Sequence, residues 1–358
     1  MFFSIIKNAT PFFTDIVFTK TFSVICLLLI TASVRAEPDP DFHIYLMFGQ
    51  SNMEGAAPIE NQDRATNERI KVMANLNCSN LNRTYGNWYL ASPPLNRCWS
   101  GLGPGDYFGR TMAEGMPSTI TIGLVPAAIS GTPIELYLKS APIGRNGQEM
   151  PPQFNGGYAW LLDMAKKAQE AGVIKGIIFH QGESDTNDQN WKNQVKEIVS
   201  DLRNDLGIGD VPFLAGELLY ADYQSCCHWH NSEINKLPEL INNSFVVSAM
   251  GLPGLDEAHF TSESYRELGR RYGNLMLEKI ERDTTPAASS SSTSSTPLPV
   301  SSSSSLVSSA SSVAATATSS TPSTAPANNS SGGGAIHWGL IGMLGIMMLL
   351  FRKRNLDQ

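Results

Sequence analysis

Ser51 stands in the run Gly49-Gln50-Ser51-Asn52-Met53, directly after the apolar stretch Ile44-Tyr45-Leu46-Met47-Phe48. A serine hydroxyl is a poor nucleophile until a base takes its proton. The chain supplies a histidine with an acid three residues before it, in Asp256-Glu257-Ala258-His259. A spacing of three brings two side chains to one side of a single helical turn. One late loop can therefore present both to a serine that arrives from an early strand. His259 would act as general base, and later as the acid that protonates the leaving alcohol. Asp256 would hold the other ring nitrogen and stabilise the imidazolium. Each piece also has an ordinary reading: a serine after a strand is a common helix N-cap, and Asp-x-x-His alone is frequent in solvated loops. The Gly-x-Ser-x-Gly elbow is absent, because the residue two after Ser51 is Met53.

Acyl transfer also needs hydrogen-bond donors aimed where negative charge develops on the carbonyl oxygen. Three candidates stand out. The first is the backbone N–H of Ser51. The second is Gly131 in Ala128-Ile129-Ser130-Gly131-Thr132-Pro133-Ile134, which has no side chain to block close approach and is equally readable as a turn glycine. The third is the side-chain amide of Gln181 in His180-Gln181-Gly182-Glu183-Ser184-Asp185. Glu183 has two readings, an acid that orients His259 in place of or beside Asp256, and a supporting acid that binds backbone amides; support is the favoured one. His180, at the end of an apolar run, reads as a core histidine. Gln50 and Asn52 read as residues that fix the turn through side-chain to backbone bonds. Cys226-Cys227-His228-Trp229-His230 contains zinc-ligand residue types, but they are too crowded for a zinc-finger spacing, and no metal is expected.

Taken together and in order, Gly49–Met53, Ala128–Ile134, His180–Asp185 and the Asp256/His259 pair resemble blocks of the SGNH hydrolase superfamily. They resemble most its sialate O-acetylesterase and acetylxylan esterase branch, carbohydrate esterase family six. The resemblance spans roughly residues 42 to 280. The wider superfamily has asparagine where Gln181 stands; glutamine, the branch's residue, keeps the same donor chemistry on a longer arm. The resemblance implies a serine esterase that releases acetate from O-acetylated carbohydrate through an acetyl-Ser51 intermediate, with no metal or organic cofactor. Acetylated xylan ranks ahead of O-acetyl sialic acid as substrate. Other readings are a general lipase or thioesterase, disfavoured because no long apolar lid segment is evident, and a non-catalytic carbohydrate-binding surface protein, disfavoured by the intact Ser51, Asp256 and His259. Glu54, Asp63 and Arg64 are candidates for the acyl or sugar pocket. Tyr220, Tyr223 and Trp229 suit either a sugar-facing loop or loop packing.

The elements that must position these residues follow from periodicity. Strands are expected over 42–48, 119–125, 173–180, 211–218 and 245–250, and helices over 107–114, 158–171, 190–206 and 262–280. Gly172 and Gly207 are expected to end the second and third of those helices. The stretch 52–99 reads as long and irregular. Strands alternating with helices mean a three-layer α/β/α sandwich around a mainly parallel, five-stranded sheet.

Outside this domain, assigned to residues 37–283, the chain changes character. Residues 1–36 read as a signal peptide, with an apolar core from Phe22 to Val34 and a cleavage site at Val34-Arg35-Ala36; an uncleaved anchor is the other reading, because the segment before Lys20 is long and apolar. Residues 284–331 are almost entirely Ser, Thr, Ala and Pro, a composition that cannot bury enough apolar surface to order itself. Such linkers resemble those of secreted polysaccharide-degrading enzymes. Residues 332–358 carry Gly332-Gly333-Gly334, an apolar stretch from Ala335 to Phe351 and then Arg352-Lys353-Arg354. That layout resembles the bacterial Gly-Gly C-terminal sorting signal, cut by a rhomboid-type protease; a permanent membrane anchor is the other reading. Both imply export, with the sorting machinery as partner and membrane contact if the tail is kept. Cys78, Cys98, Cys226 and Cys227 are an even count that suits disulfides in an exported chain. Cys78–Cys98 is the favoured pair; Cys226 and Cys227 bond to each other, stay reduced or pair elsewhere. The net charge of −7 is spread along the chain with no basic stripe, so no nucleic-acid partner is expected.

Overall fold

Strand β1 (Asp39–Gly49) is the centre of the molecule. Its residues Ile44 to Phe48 have no exposed surface, as a parallel strand covered on both faces requires. The period of two sends Ile44, Leu46 and Phe48 into one hydrophobic core and Tyr45 and Met47 into another on the opposite face. Around β1 lie β2 (Ile70–Met73), β3 (Trp88–Leu90), β4 (Thr121–Ala128), β5 (Gly172–His180), β6 (Phe213–Gly216) and β7 (Ser244–Val247). The order across the sheet is β3-β2-β4-β1-β5-β6-β7. Every pairing is parallel except β2 with β3.

These elements belong to a computed structural model that describes residues 37–140, 150–220, 222 and 225–284. The expected signal peptide, most of the linker, the C-terminal segment and Tyr223 lie outside the described residues. Among the described residues, no helix is long and apolar enough to cross a membrane.

The helices are α1 (Ser51–Glu54), α2 (Pro104–Gly115), α3 (Gly157–Gln169), α4 (Trp191–Leu206), α5 (Asn231–Ile234), α6 (Leu237–Leu240) and α7 (Ser262–Thr284). Apolar residues of α3 and α4 fill the core that holds Ile44, and those of α2 and α7 fill the core that holds Tyr45. The result is the expected α/β/α sandwich, with two corrections to its detail. The sheet has seven strands, not five. The additional β2 and β3 fall in the stretch read as irregular; at four and three residues they are too short to show a period, and β2 exists because β4 offers it a partner. Gly172 does not end a helix but begins β5, where a β-carbon would meet the Phe42 carbonyl oxygen at 2.3 Å. Gly207 does close α4, at φ 63°.

Two disulfides form among the described residues. Cys78–Cys98 joins the segment after β2 to the loop before α2, and Cys226–Cys227 links adjacent residues.

Because β1 lies between β4 and β5, the chain changes direction of progress at β1, and the crevice at the C-terminal edge there is where open α/β sheets bind ligands. The register puts Gly49 beside Ala128 on one side and His180 on the other. Three motif blocks thus leave adjacent strands side by side.

Candidate active site

Gly49 turns the chain at φ 142°, and a β-carbon on it would lie 2.0 Å from the His180 carbonyl oxygen. Only glycine lets β1 end this close to β5. Ser51 then opens the one-turn helix α1, so its own N–H has no acceptor within that helix. Ser51 Oγ lies 2.9 Å from His259 Nε2. The other ring nitrogen, Nδ1, is 2.9 Å from Asp256 Oδ2 and 3.1 Å from Oδ1. Asp256 Oδ1 also accepts the backbone N–H groups of Ala258 and His259, at 2.9 and 2.8 Å. Burial alone would raise the Asp256 pKa, but the hydrogen bonds from the His259 ring and these two amides outweigh it and hold the carboxyl below its usual range. A charged carboxylate can only accept, so the imidazole donates from Nδ1 and turns the Nε2 lone pair toward the serine hydroxyl.

The structure therefore brings Ser51, His259 and Asp256 into one series. Glu183 stands behind it. Its Oε1 accepts from Asn52 Nδ2, whose second hydrogen goes to the Ala258 carbonyl oxygen at 2.9 Å. Tyr265 of α7 donates to Asn52 Oδ1. Glu183 thus makes its hydrogen bond to Asn52 and acts on His259 through charge. Burial pushes its pKa up to about 7, against the opposing pull of its own backbone N–H and of Asn52. His180, fully buried, has its pKa pushed down to about 4 by burial; its Nε2 is 3.0 Å from the Glu217 carbonyl oxygen, and its Nδ1 is 3.9 Å from Glu183 Oε1.

Gly131 sits at φ 67° with open space around the position a β-carbon would take. Its loop is fixed on both sides: Ser130 N–H donates to Glu54 Oε2 at 2.6 Å, and Ile134 N–H to Asp185 Oδ2 at 2.9 Å. Gln181 differs from the expectation of an oxyanion donor. Its side chain has no exposed surface. Its two amide hydrogens already face Gln50 Oε1 at 3.1 Å, the Thr132 carbonyl oxygen at 3.2 Å and Asp185 Oδ2, while Trp191 Nε1 donates to its oxygen. In this geometry Gln181 ties the Thr132 loop to the Glu183 loop and leaves no hydrogen for a bound carbonyl.

Asp63 is fully buried in an ion pair with Arg266 of α7 at 2.9 Å, away from any pocket role, while Arg64 is exposed. The Cys226–His230 residues do not converge on one point. The cysteines are bonded to each other, His228 Nδ1 faces the Ser225 carbonyl oxygen at 3.3 Å, and the His230 ring packs edge-on to Trp191. Sequence reasoning missed Asn96, which donates to the Met53 carbonyl oxygen at 3.1 Å and accepts from Ala128 N–H at 3.1 Å, joining α1 to β4. It missed Tyr265 and Trp191 as partners too. A lone asparagine in an irregular stretch and aromatic residues on amphipathic helices carry no local mark of such contacts.

A mainly parallel sheet with a serine, an imidazole and a carboxylate in series at its C-terminal edge has the parts a carboxylic ester hydrolase needs. Residues 41–278 match the family described as carbohydrate esterase, sialic acid-specific acetylesterase, and the chain belongs to that family of carboxylic ester hydrolases. It is 25% identical over 256 residues to a probable carbohydrate esterase of Arabidopsis thaliana, covering 65% of this chain and 89% of that protein. The X-ray structure of that plant protein is similar in fold, with a TM-score of 0.52, 23% identity, and coverage of 68% of this chain and 100% of the other. The crystal structure of NanS is similar as well, with a TM-score of 0.56, 16% identity, and coverage of 68% and 99%.

Proposed function

We propose that the protein removes O-acetyl groups from carbohydrates through an acetyl-enzyme on Ser51. The observation that carries this reading is the unbroken series Asp256–His259–Ser51, with 2.9 Å at each junction. His259 Nε2 takes the hydroxyl proton as Ser51 Oγ attacks the acetyl carbon. The resulting oxyanion is held by the N–H groups of Ser51 and Gly131. His259 gives the proton to the sugar oxygen, which leaves as an alcohol. Water, activated by the same nitrogen, then adds to the acetyl group, and acetate departs as Ser51 recovers its proton. Asp256 stays ionised throughout and stabilises the imidazolium at both stages.

Two glycans compete as substrate. The Ser-rich stretch 284–331 favours acetylated xylan, and the family's description favours O-acetyl sialic acid. Acetate release measured on a panel of acetylated xylans, glucomannans and sialosides separates them, with Ser51→Ala as control. A folded Ser51→Ala protein that keeps near-wild-type turnover refutes the serine mechanism.

We infer also that the enzyme works outside the cytoplasm. The apolar segment ending at Val34-Arg35-Ala36, the two disulfides and the glycine–apolar–basic order after Ser331 support this.

A further inference from the structure

A hollow of about 310 Å³ lies at the catalytic edge of the sheet, lined by Leu76, Asn77, Tyr85, Trp99, Met150 and Gln153 among others. That volume is at the lower end of small-molecule sites, the scale of one ring. Its position follows from the sheet. Leu76 and Asn77 come just after the end of β2, and β2 is two strands from β1. At the usual strand spacing that is about 10 Å from the strand that carries Ser51.

The hollow is built. Trp99 is 66% exposed, yet one face is covered by the Arg97 guanidinium, 4.7 Å from the ring centroid. Arg97 is itself buried, 4.0 Å from the Glu54 carboxylate that accepts the Ser130 N–H. A short polar chain thus runs from the wall of the hollow to the residue before Gly131. Elsewhere in the lining, the Tyr85 hydroxyl donates to Asp163 Oδ2 at 2.6 Å, and its N–H donates to Asn77 Oδ1 at 2.9 Å. The Cys78–Cys98 disulfide joins the residue after Asn77 to the residue before Trp99, so one covalent link ties two lining segments together. An exposed indole held this way loses little freedom when it contacts a ligand.

We propose that this hollow is a subsite for an uncharged sugar residue of the same glycan whose acetyl group sits at Ser51. Trp99 offers a flat apolar face, and the amides of Asn77 and Gln153 supply donors and acceptors for hydroxyl groups. No lining residue is charged, which favours a neutral ring over the carboxylated ring of a sialic acid. The substrate is then an oligosaccharide or polysaccharide, not a free monosaccharide. This rests on the acetylesterase reading and deepens it.

The test measures kcat/KM for an acetylated xylo-oligosaccharide and for an aryl acetate, in wild type, Trp99→Ala and Trp99→Phe. The ratio of glycan to aryl acetate should fall about tenfold in Trp99→Ala, the size of one lost ring contact, mainly through KM. Trp99→Phe should keep most of it. Alongside, Ser51→Ala protein should bind deacetylated xylo-oligosaccharide with a change in tryptophan fluorescence that vanishes in the Ser51→Ala/Trp99→Ala double variant. A ratio that does not move, with binding equal in the single and double variants, overturns the subsite. A wild-type enzyme inert on both substrates defeats the esterase reading instead, and the binding arm still decides the subsite.

Discussion

Asp256→Asn probes the weakest-looking member of the series, because its side chain is 51% exposed. In this loop the substitution has a defined geometry. The two backbone donors, Ala258 N–H and His259 N–H, both need an acceptor at the Oδ1 position, so an asparagine keeps its oxygen there and puts its NH2 where Oδ2 was. That NH2 then faces His259 Nδ1 at the 2.9 Å contact. Either the imidazole shifts its proton to Nε2 and can no longer take one from Ser51, or two donors oppose each other. The 3.1 Å contact from Nδ1 to the retained oxygen softens the loss. What disappears is one charge-assisted hydrogen bond to the developing imidazolium, about 1.5–3 kcal/mol, or about 10- to 150-fold in kcat. The corresponding loss with a serine protease's buried aspartate is about 10⁴, and water around Asp256 accounts for the smaller figure here. Glu183→Gln should cost less, since Glu183 reaches His259 only through Asn52 and through charge. The assay is aryl acetate hydrolysis at pH 8, with circular dichroism to confirm folding. If Asp256→Asn stays within threefold of wild type while Glu183→Gln falls further, Glu183 is the orienting acid and the assignment is reversed.

Three other outcomes follow from the structure and sequence. Glu183→Gln should gain stability relative to wild type as pH rises from about 4.5 to 7, by up to about 3 kcal/mol. The native Glu183 keeps a proton to about pH 7 that the unfolded chain releases near 4.5, so wild-type stability falls through that window; a difference in urea midpoints that stays flat with pH would exclude this. Activity should survive exhaustive chelation, because the proposed charge stabilisation comes from amide donors; loss in chelator with recovery on adding zinc would reopen Cys226–His230 as a metal site. Intact-mass analysis of protein from its native host should show a start near Glu37 and an end near Gly332 to Gly334, and a surface form that still carries Arg352-Lys353-Arg354 would mean the tail is a permanent anchor.

The strands that carry the site were legible because burial on both faces leaves long apolar runs; Ile44–Phe48 and Ile177–Phe179 are such runs. The Asp256/His259 pair was legible because its geometry is local. Gln181 was not, since the direction of its amide is set by Trp191, ten residues on, and by Asp185 and Thr132 on two other turns. The same holds for β2, which is a strand because β4 and β3 lie on either side of it, and for Asn52, whose partners are 131, 206 and 213 residues away. Local pattern specifies elements and short-range pairs. It cannot specify which of several equivalent amides faces the substrate, because that depends on acceptors brought in by the topology.

The exposure of Asp256 raises the question of what keeps His259 aimed at Ser51. The loop is closed within itself by the Leu255 N–H to His259 carbonyl bond at 2.7 Å and by the bridge between Gly254 and Phe260. Between those two closures it is held from outside at consecutive carbonyl oxygens. Glu257 accepts from Cys226 N–H at 2.9 Å, and Ala258 accepts from Asn52. Phe260, immediately after His259, is fully buried and packs edge-on against Tyr265, the residue that holds Asn52. The loop that carries the imidazole is thus held at several backbone contacts that do not involve the carboxylate, and the carboxylate adds an electrostatic task. That division explains how an exposed acid can serve. It also assigns Asn52 a role beyond fixing its own turn: its side chain contacts both the Glu183 loop and the histidine loop while sitting next to the serine, so the three are tied together through it.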